Sequence, residues 1–159
     1  RRAVTPMPAA GFYPIHTKQL SFRADGRWYA DGEPVVHERL ALLFSRYLRR
    51  RPQGGGYEIW IDERYHADVE VEDTPFVVTA TEMLPDGSVD IHLNDGSTER
   101  LDPSTLRVGN GGVLYCAVKA GAEQARFLRA AYYDLAQYIE EGPPGHFQLR
   151  CGEQVFRIA

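Results

Sequence analysis

The succession of segments between Trp28 and Ile59 recurs between Leu114 and Leu149, and an internal duplication restricts the fold of this 159-residue chain more than any other property. In each stretch an aromatic strand segment leads into an amphipathic helical pattern, a Gly/Pro break and a second aromatic strand. The first stretch runs from Trp28-Tyr29 to Tyr57-Glu58-Ile59, and the second from Leu114-Tyr115 to Phe147-Gln148-Leu149. Tyr29 precedes Tyr47 by the interval that separates Tyr115 from Tyr133 (47 − 29 = 133 − 115 = 18). Two related units bury their apolar faces and leave a cleft between them, where small ligands commonly bind. The predicted fold is α+β, with two related units that each pack a helix on an antiparallel sheet.

Composition narrows the function classes. Residues are 43% hydrophobic and 25% charged, which supplies a core for one domain or two small subdomains. Lys plus Arg number 18 against 22 acids, a net charge of −4. A general nucleic-acid binder needs a basic surface to displace counterions, so the charge argues against that class and leaves room only for a local basic patch. No apolar run has the length of a bilayer span, and the start lacks a signal-peptide hydrophobic core. The expected location is the cytoplasm, and the opening Arg1 reads as a processed or trimmed start. Cys116 and Cys151 are too distant in sequence for a chelating pair, which argues against zinc. Both a disulfide between them and a reduced state fit so few cysteines.

Residues 1–17, rich in Pro, Ala and Gly, read as a surface tail. An N-terminal unit is expected over 18–100 and a C-terminal unit over 101–159, divided at the loop-rich Leu101 to Gly112. Asp25-Gly26, Asp86-Gly87 and Asn94-Asp95-Gly96 are hairpin turns, their aspartates serving turn chemistry. The spacing predicts one helix over Val36–Arg50, with Val36, Leu40, Leu43, Phe44 and Tyr47 buried. Arg39, Arg46 and Arg50 form a cationic edge on it, which complements the helix dipole or binds an anion. A longer helix is predicted from Ala122 to Glu141, with Ala125, Leu128, Tyr132, Leu135 and Ile139 buried. Arg129 and Tyr133, one turn apart beside that stripe, can meet one partner group together. Phe147–Leu149 and Gln154–Ile158 form a closing hairpin. In the strand around Val69, His66, Asp68, Glu70 and Glu72 share one face, expected to be solvated rather than metal-binding.

Several stretches together resemble a bacterial family of domains of unknown function, number twelve eighty-five. They are Asp25-Gly26-Arg27-Trp28-Tyr29-Ala30-Asp31-Gly32-Glu33-Pro34, Leu43-Phe44 with Leu48-Arg49-Arg50, and Val71-Glu72-Asp73-Thr74-Pro75-Phe76. Arg129-Ala130-Ala131-Tyr132-Tyr133 and Gly152-Glu153-Gln154-Val155-Phe156 complete the set. The resemblance implies a duplicated α+β core, a C-terminal half resembling pleckstrin-homology folds, a nucleotide-like ligand at the domain interface and a role in signal transduction. It departs at His37, where the family carries arginine, and at Asp62-Glu63-Arg64-Tyr65-His66.

The expected function is a ligand-binding or signalling module for a nucleotide-like anion, with no cofactor. Arg129 or Arg39 would grip phosphate, Tyr133 or Trp28 would stack on a base, and His37 would lie nearby. The alternatives are a hydrolase-like enzyme, built from His37 or His66 with Asp62, Asp68 or Asp73, and a protein-interaction adaptor. The enzyme requires a histidine and a carboxylate within hydrogen-bond reach, since no nucleophile motif is present. The adaptor requires a large exposed apolar surface.

Overall fold

The computed structural model describes residues 19–159, so the tail expected over 1–17 lies outside the described residues. The chain forms two compact units that divide between Asp73 and Thr74.

In the first unit, β1 (Leu20–Phe22) turns through Asp25-Gly26 into β2 (Trp28–Ala30), and β2 turns through Asp31-Gly32 into β3 (Glu33–Pro34). Asp31 and Gly32 both have positive φ, 52° and 83°, the pairing that a tight two-residue hairpin needs. Helix α1 (Glu38–Tyr47) follows, and then a second meander of β4 (Leu48–Arg50), β5 (Tyr57–Asp62) and β6 (Tyr65–Val71). The strand order is β3-β2-β1-β6-β5-β4, antiparallel except where β1 runs parallel to β6. Phe22, Trp28 and Phe44 pack tilted and edge-to-face in the core, with ring centroids 5.1 and 5.3 Å apart. The Trp28 indole N–H donates to Ser45 Oγ at 2.8 Å, which satisfies a polar atom that burial would otherwise strand.

The second unit repeats this plan. β7 (Phe76–Met83), β8 (Val89–Leu93) and β9 (Thr98–Arg100) form one meander, and β10 (Arg107–Val108), β11 (Leu114–Val118) and β12 (Glu123–Phe127) form the other. Their order, β10-β11-β12-β7-β8-β9, again has one parallel pair at the centre, β12 with β7. Helix α2 (Arg129–Ala136) buries Ala131 and Leu135 and packs on β7. A three-stranded sheet of β13 (Ile139–Glu141), β14 (Phe147–Cys151) and β15 (Gln154–Arg157) closes the chain as the expected hairpin with one added strand.

The duplication is therefore real at the level of the sheets, in a different register from the sequence reading. Leu20 pairs with Val69 across the first parallel seam and Phe76 with Ala125 across the second, an offset of 56 at both (76 − 20 = 125 − 69 = 56). Between the two meanders the first unit has α1 and the second has a short 3-10 helix at Pro103–Thr105, whereas α2 comes after the second sheet. The two helices thus hold unrelated places. Tyr29 lies on β2 and Tyr115 on β11, strands of different meanders, so their matched spacing to Tyr47 and Tyr133 does not mark equivalent positions.

Each unit also carries a parallel seam where a fully antiparallel sheet was expected. The expected division at 100/101 falls inside the second sheet, between β9 and β10; the compact units part at 73/74 instead.

Both predicted helices were too long. α1 begins at Glu38 because His37 caps it, leaving Val36 87% exposed, and it stops at Tyr47 because Leu48 turns extended to pair with Ile59. The stretch 122–141 is strand, helix and strand, with Ala125 and Phe127 buried by alternation along β12. The solvated strand was read in the correct register. His66, Asp68, Glu70 and Glu72 are exposed, Val69 is buried and Val71 half-buried.

Candidate functional site

The residues expected to bind a nucleotide-like ligand have different surroundings. Trp28 is 2% exposed and belongs to the core, so its ring offers no face to a base. His37 Nδ1 accepts the Leu40 N–H at 3.4 Å, a capping role that answers one of the orphan donors at the start of α1. Arg39 is exposed in the first turn of α1. In the second unit, Arg129 is exposed at the first position of α2, and Tyr133 is exposed one turn later with its ring 5.8 Å from that of Tyr132. Arg50, expected on the helix edge, lies on β4 with its guanidinium over the Tyr57 ring. Arg49 there pairs with Glu58 at 2.8 Å and Arg51 with Asp68 at 3.0 Å, so this basic run is largely used within the sheet.

Sequence reasoning missed a cavity that lies wholly within the second unit and has a volume of about 750 Å³, a size that suits a small organic molecule. Its apolar lining comes from Val108, Leu114, Tyr132, Ile139, Phe147 and Ile158. Polar groups gather at one side, where Arg157, His146 and Glu141 meet the β13–β14 turn. Arg157 donates to His146 Nδ1 at 2.6 Å, and Glu141 Oε2 accepts the Gly145 N–H at 3.1 Å. The elements converge because β14 and β15 carry Phe147 and Arg157, while α2 presents Tyr132 and Ala136 one turn apart. The sequence pattern held no direct signal, since it placed Tyr132 on a buried helical stripe whereas the residue is 36% exposed at the cavity.

A second cavity, about 430 Å³, lies in the first unit beside Leu20, Pro34, Val36, His37 and Leu40. Its remaining ionisable groups are Asp31 and Glu33, a lining that repels an anion. Among the described residues no histidine is hydrogen bonded to a carboxylate: His92 meets Thr98, and His66 stacks on Trp60 at 4.8 Å. Asp62 instead accepts the Arg64 and Tyr65 N–H groups in a turn. No group of three or more His, Cys, Asp or Glu among the described residues is placed to hold a metal ion. Cys116 and Cys151 are free thiols, both buried, and burial together with Glu99 pushes the Cys116 thiol up to about 12. No helix among the described residues is long and apolar enough to cross a membrane.

No protein-family model and no curated protein matches the sequence. Two solved structures do. A DUF1285 family protein from Silicibacter pomeroyi DSS-3 matches with a TM-score of 0.68 at 20% identity, covering 98% of this chain and 88% of its own. A second DUF1285 family protein, from Shewanella baltica OS155, matches with a TM-score of 0.59 at 20% identity, covering 76% of this chain and 91% of its own. The chain has the fold of these proteins, in agreement with the resemblance carried by the Asp25–Pro34 and Val71–Phe76 motifs.

Proposed function

We propose that this chain is a non-enzymatic ligand-binding module of the DUF1285 kind, with its site in the cavity of the C-terminal unit. One observation carries this reading. Val108, Tyr132 and Phe147 are large apolar side chains left 48%, 36% and 46% exposed, and all three line the same cavity. Singly exposed apolar residues are ordinary on any surface; a convergent set around a concavity marks a place where something binds. The polar groups beside it supply orientation, as small-molecule sites require.

The finer expectation, an anionic nucleotide-like ligand and a part in signal transduction, concerns the exposed Arg129 and Tyr133 of α2, which do not line the cavity. Arg129 lies one turn before Tyr132 on α2, and their i, i+3 spacing places them side by side. With Tyr133 it is available to a phosphate-bearing ligand, and Arg129→Ala is expected to weaken such binding by more than tenfold without loss of fold. Six strands followed by α2 also support the pleckstrin-homology-like character of this half. A thermal-shift screen of nucleotides and common metabolites tests the site, because a ligand bound only by the folded chain raises Tm by mass action. A hit is expected to be lost in Phe147→Asp, whose exposed position leaves the unliganded Tm within a few degrees of the parent. A hit retained by that variant, or no hit at all, would count against the site.

A further inference from the structure

We infer that the cavity of the C-terminal unit selects one class of ligand: a monocarboxylate on an aliphatic or aryl body. The carboxylate meets Arg157, and the body lies along Val108, Tyr132 and Phe147. This rests on the reading above that the cavity is a binding site, and it adds the chemistry of the ligand.

Arg157 is the arginine of the cavity lining, and it lacks an acidic partner. Its neighbour in the same sheet, Arg150, pairs with Glu140 at 2.7 Å across β13 and β14. Arg100, Arg49 and Arg51 likewise have carboxylates. Arg157 has no ion pair with an acid among the described residues, and its one hydrogen bond goes to an imidazole. A guanidinium has only donors, so His146 Nδ1 accepts here and contributes no negative charge. That contact orients the guanidinium beside the cavity and leaves the rest of its planar fork for a second acceptor. A carboxylate matches the fork in two parallel hydrogen bonds.

The charge balance at the rim separates a carboxylate from a phosphate ester. Glu141 lines the same side of the cavity, held by the Gly145 N–H. One arginine opposed by one acid suits a single negative charge and disfavours a dianion, which would meet Glu141 without a second cation. The rest of the lining is apolar, and six such side chains gain little from a sugar or polyol but much from a hydrocarbon or aromatic body.

The experiment uses the full chain and two matched probes, biphenyl-4-carboxylate and biphenyl-4-carboxamide, titrated calorimetrically. The acid is expected to bind at least tenfold tighter than the amide. Arg157→Gln should erase that preference while leaving amide affinity unchanged, and Glu141→Gln should tighten the acid severalfold. Equal binding of acid and amide, or a preference that survives Arg157→Gln, overturns the ligand class while the site itself stands. Tighter binding of adenosine monophosphate than of the acid also overturns the class. If neither probe nor nucleotide binds, the class and the site fall together.

Discussion

Backbone geometry at Lys119, Ala120 and Gly121 shows how a few residues decide an element. All three have positive φ, 55°, 56° and 85°, and together they turn β11 into β12. An L-residue in the left-handed region carries a steric cost of ~1–2 kcal/mol that glycine avoids. Lys119 is repaid by its side chain, whose Nζ reaches Asp95 at 2.6 Å, whereas Ala120 has no such contact. Ala120→Gly is therefore expected to stabilise the chain by ~0.5–1 kcal/mol in urea unfolding, net of the entropy that glycine adds to the unfolded state. A lowered midpoint would contradict the turn geometry. The Cys116 thiol gives a pH signature. It ionises near 9 when exposed but only near 12 when folded, so above pH 9 the unfolded state gives up a proton that the folded state keeps. Stability should fall with rising pH by up to ~1.4 kcal/mol per unit from this group between those values. Cys116→Ala should show a shallower alkaline slope, and identical slopes would place the thiol in water.

Elements were legible where the chain states its own turns. Asp25-Gly26, Asp86-Gly87 and Asp95-Gly96 all close hairpins, because glycine adopts positive φ there and each aspartate accepts the backbone N–H two residues on. The alternation from His66 to Glu72 likewise fixed the buried face. Residues 122–141 misled for a physical reason. Ala122, Glu123, Gln124, Ala125 and Arg126 favour helix locally, but pairing with β11 on one side and β7 on the other makes them a strand. The turn that starts that strand carries lysine and alanine at positions usually held by asparagine and glycine, so Gly121 alone marked it. Gly87 has a duty that its turn motif alone does not reveal. A Cβ on it would sit 2.8 Å from the Gly152 backbone nitrogen, where the β7–β8 and β14–β15 turns meet. Gly87→Ala is expected to cost ~2 kcal/mol or more, from this clash together with a φ of 87°. A neutral substitution would show that the two turns separate easily.

For the molecule as a whole, a duplication was expected and the sheets carry one, but the segments and the tyrosine interval that suggested it are not the equivalent ones. Aromatic strands flanking a helical pattern occur in both halves, but hydrogen-bond partners across a parallel seam leave no local mark in sequence. The Leu20–Val69 and Phe76–Ala125 pairs emerge only when distant strands are brought together. The candidate site was less legible still, since its walls come from β10, β11, α2, β13, β14 and β15, and no single motif contains them. The second unit has its own core, extending from Phe76 to Ile158, and both of its sheets are complete within it. Residues 74–159 expressed alone are therefore expected to unfold cooperatively with native-like circular dichroism; a non-cooperative transition would show that this core does not suffice. The central claim, that the C-terminal cavity is a ligand site, is tested most directly by chemical-shift mapping of the full chain with the tightest-binding compound from the thermal-shift screen. The account predicts perturbations centred on Val108, Tyr132, Ile139, Phe147 and Arg157. Perturbations centred instead on His37 and Arg39, or the absence of any saturable shift, would contradict it.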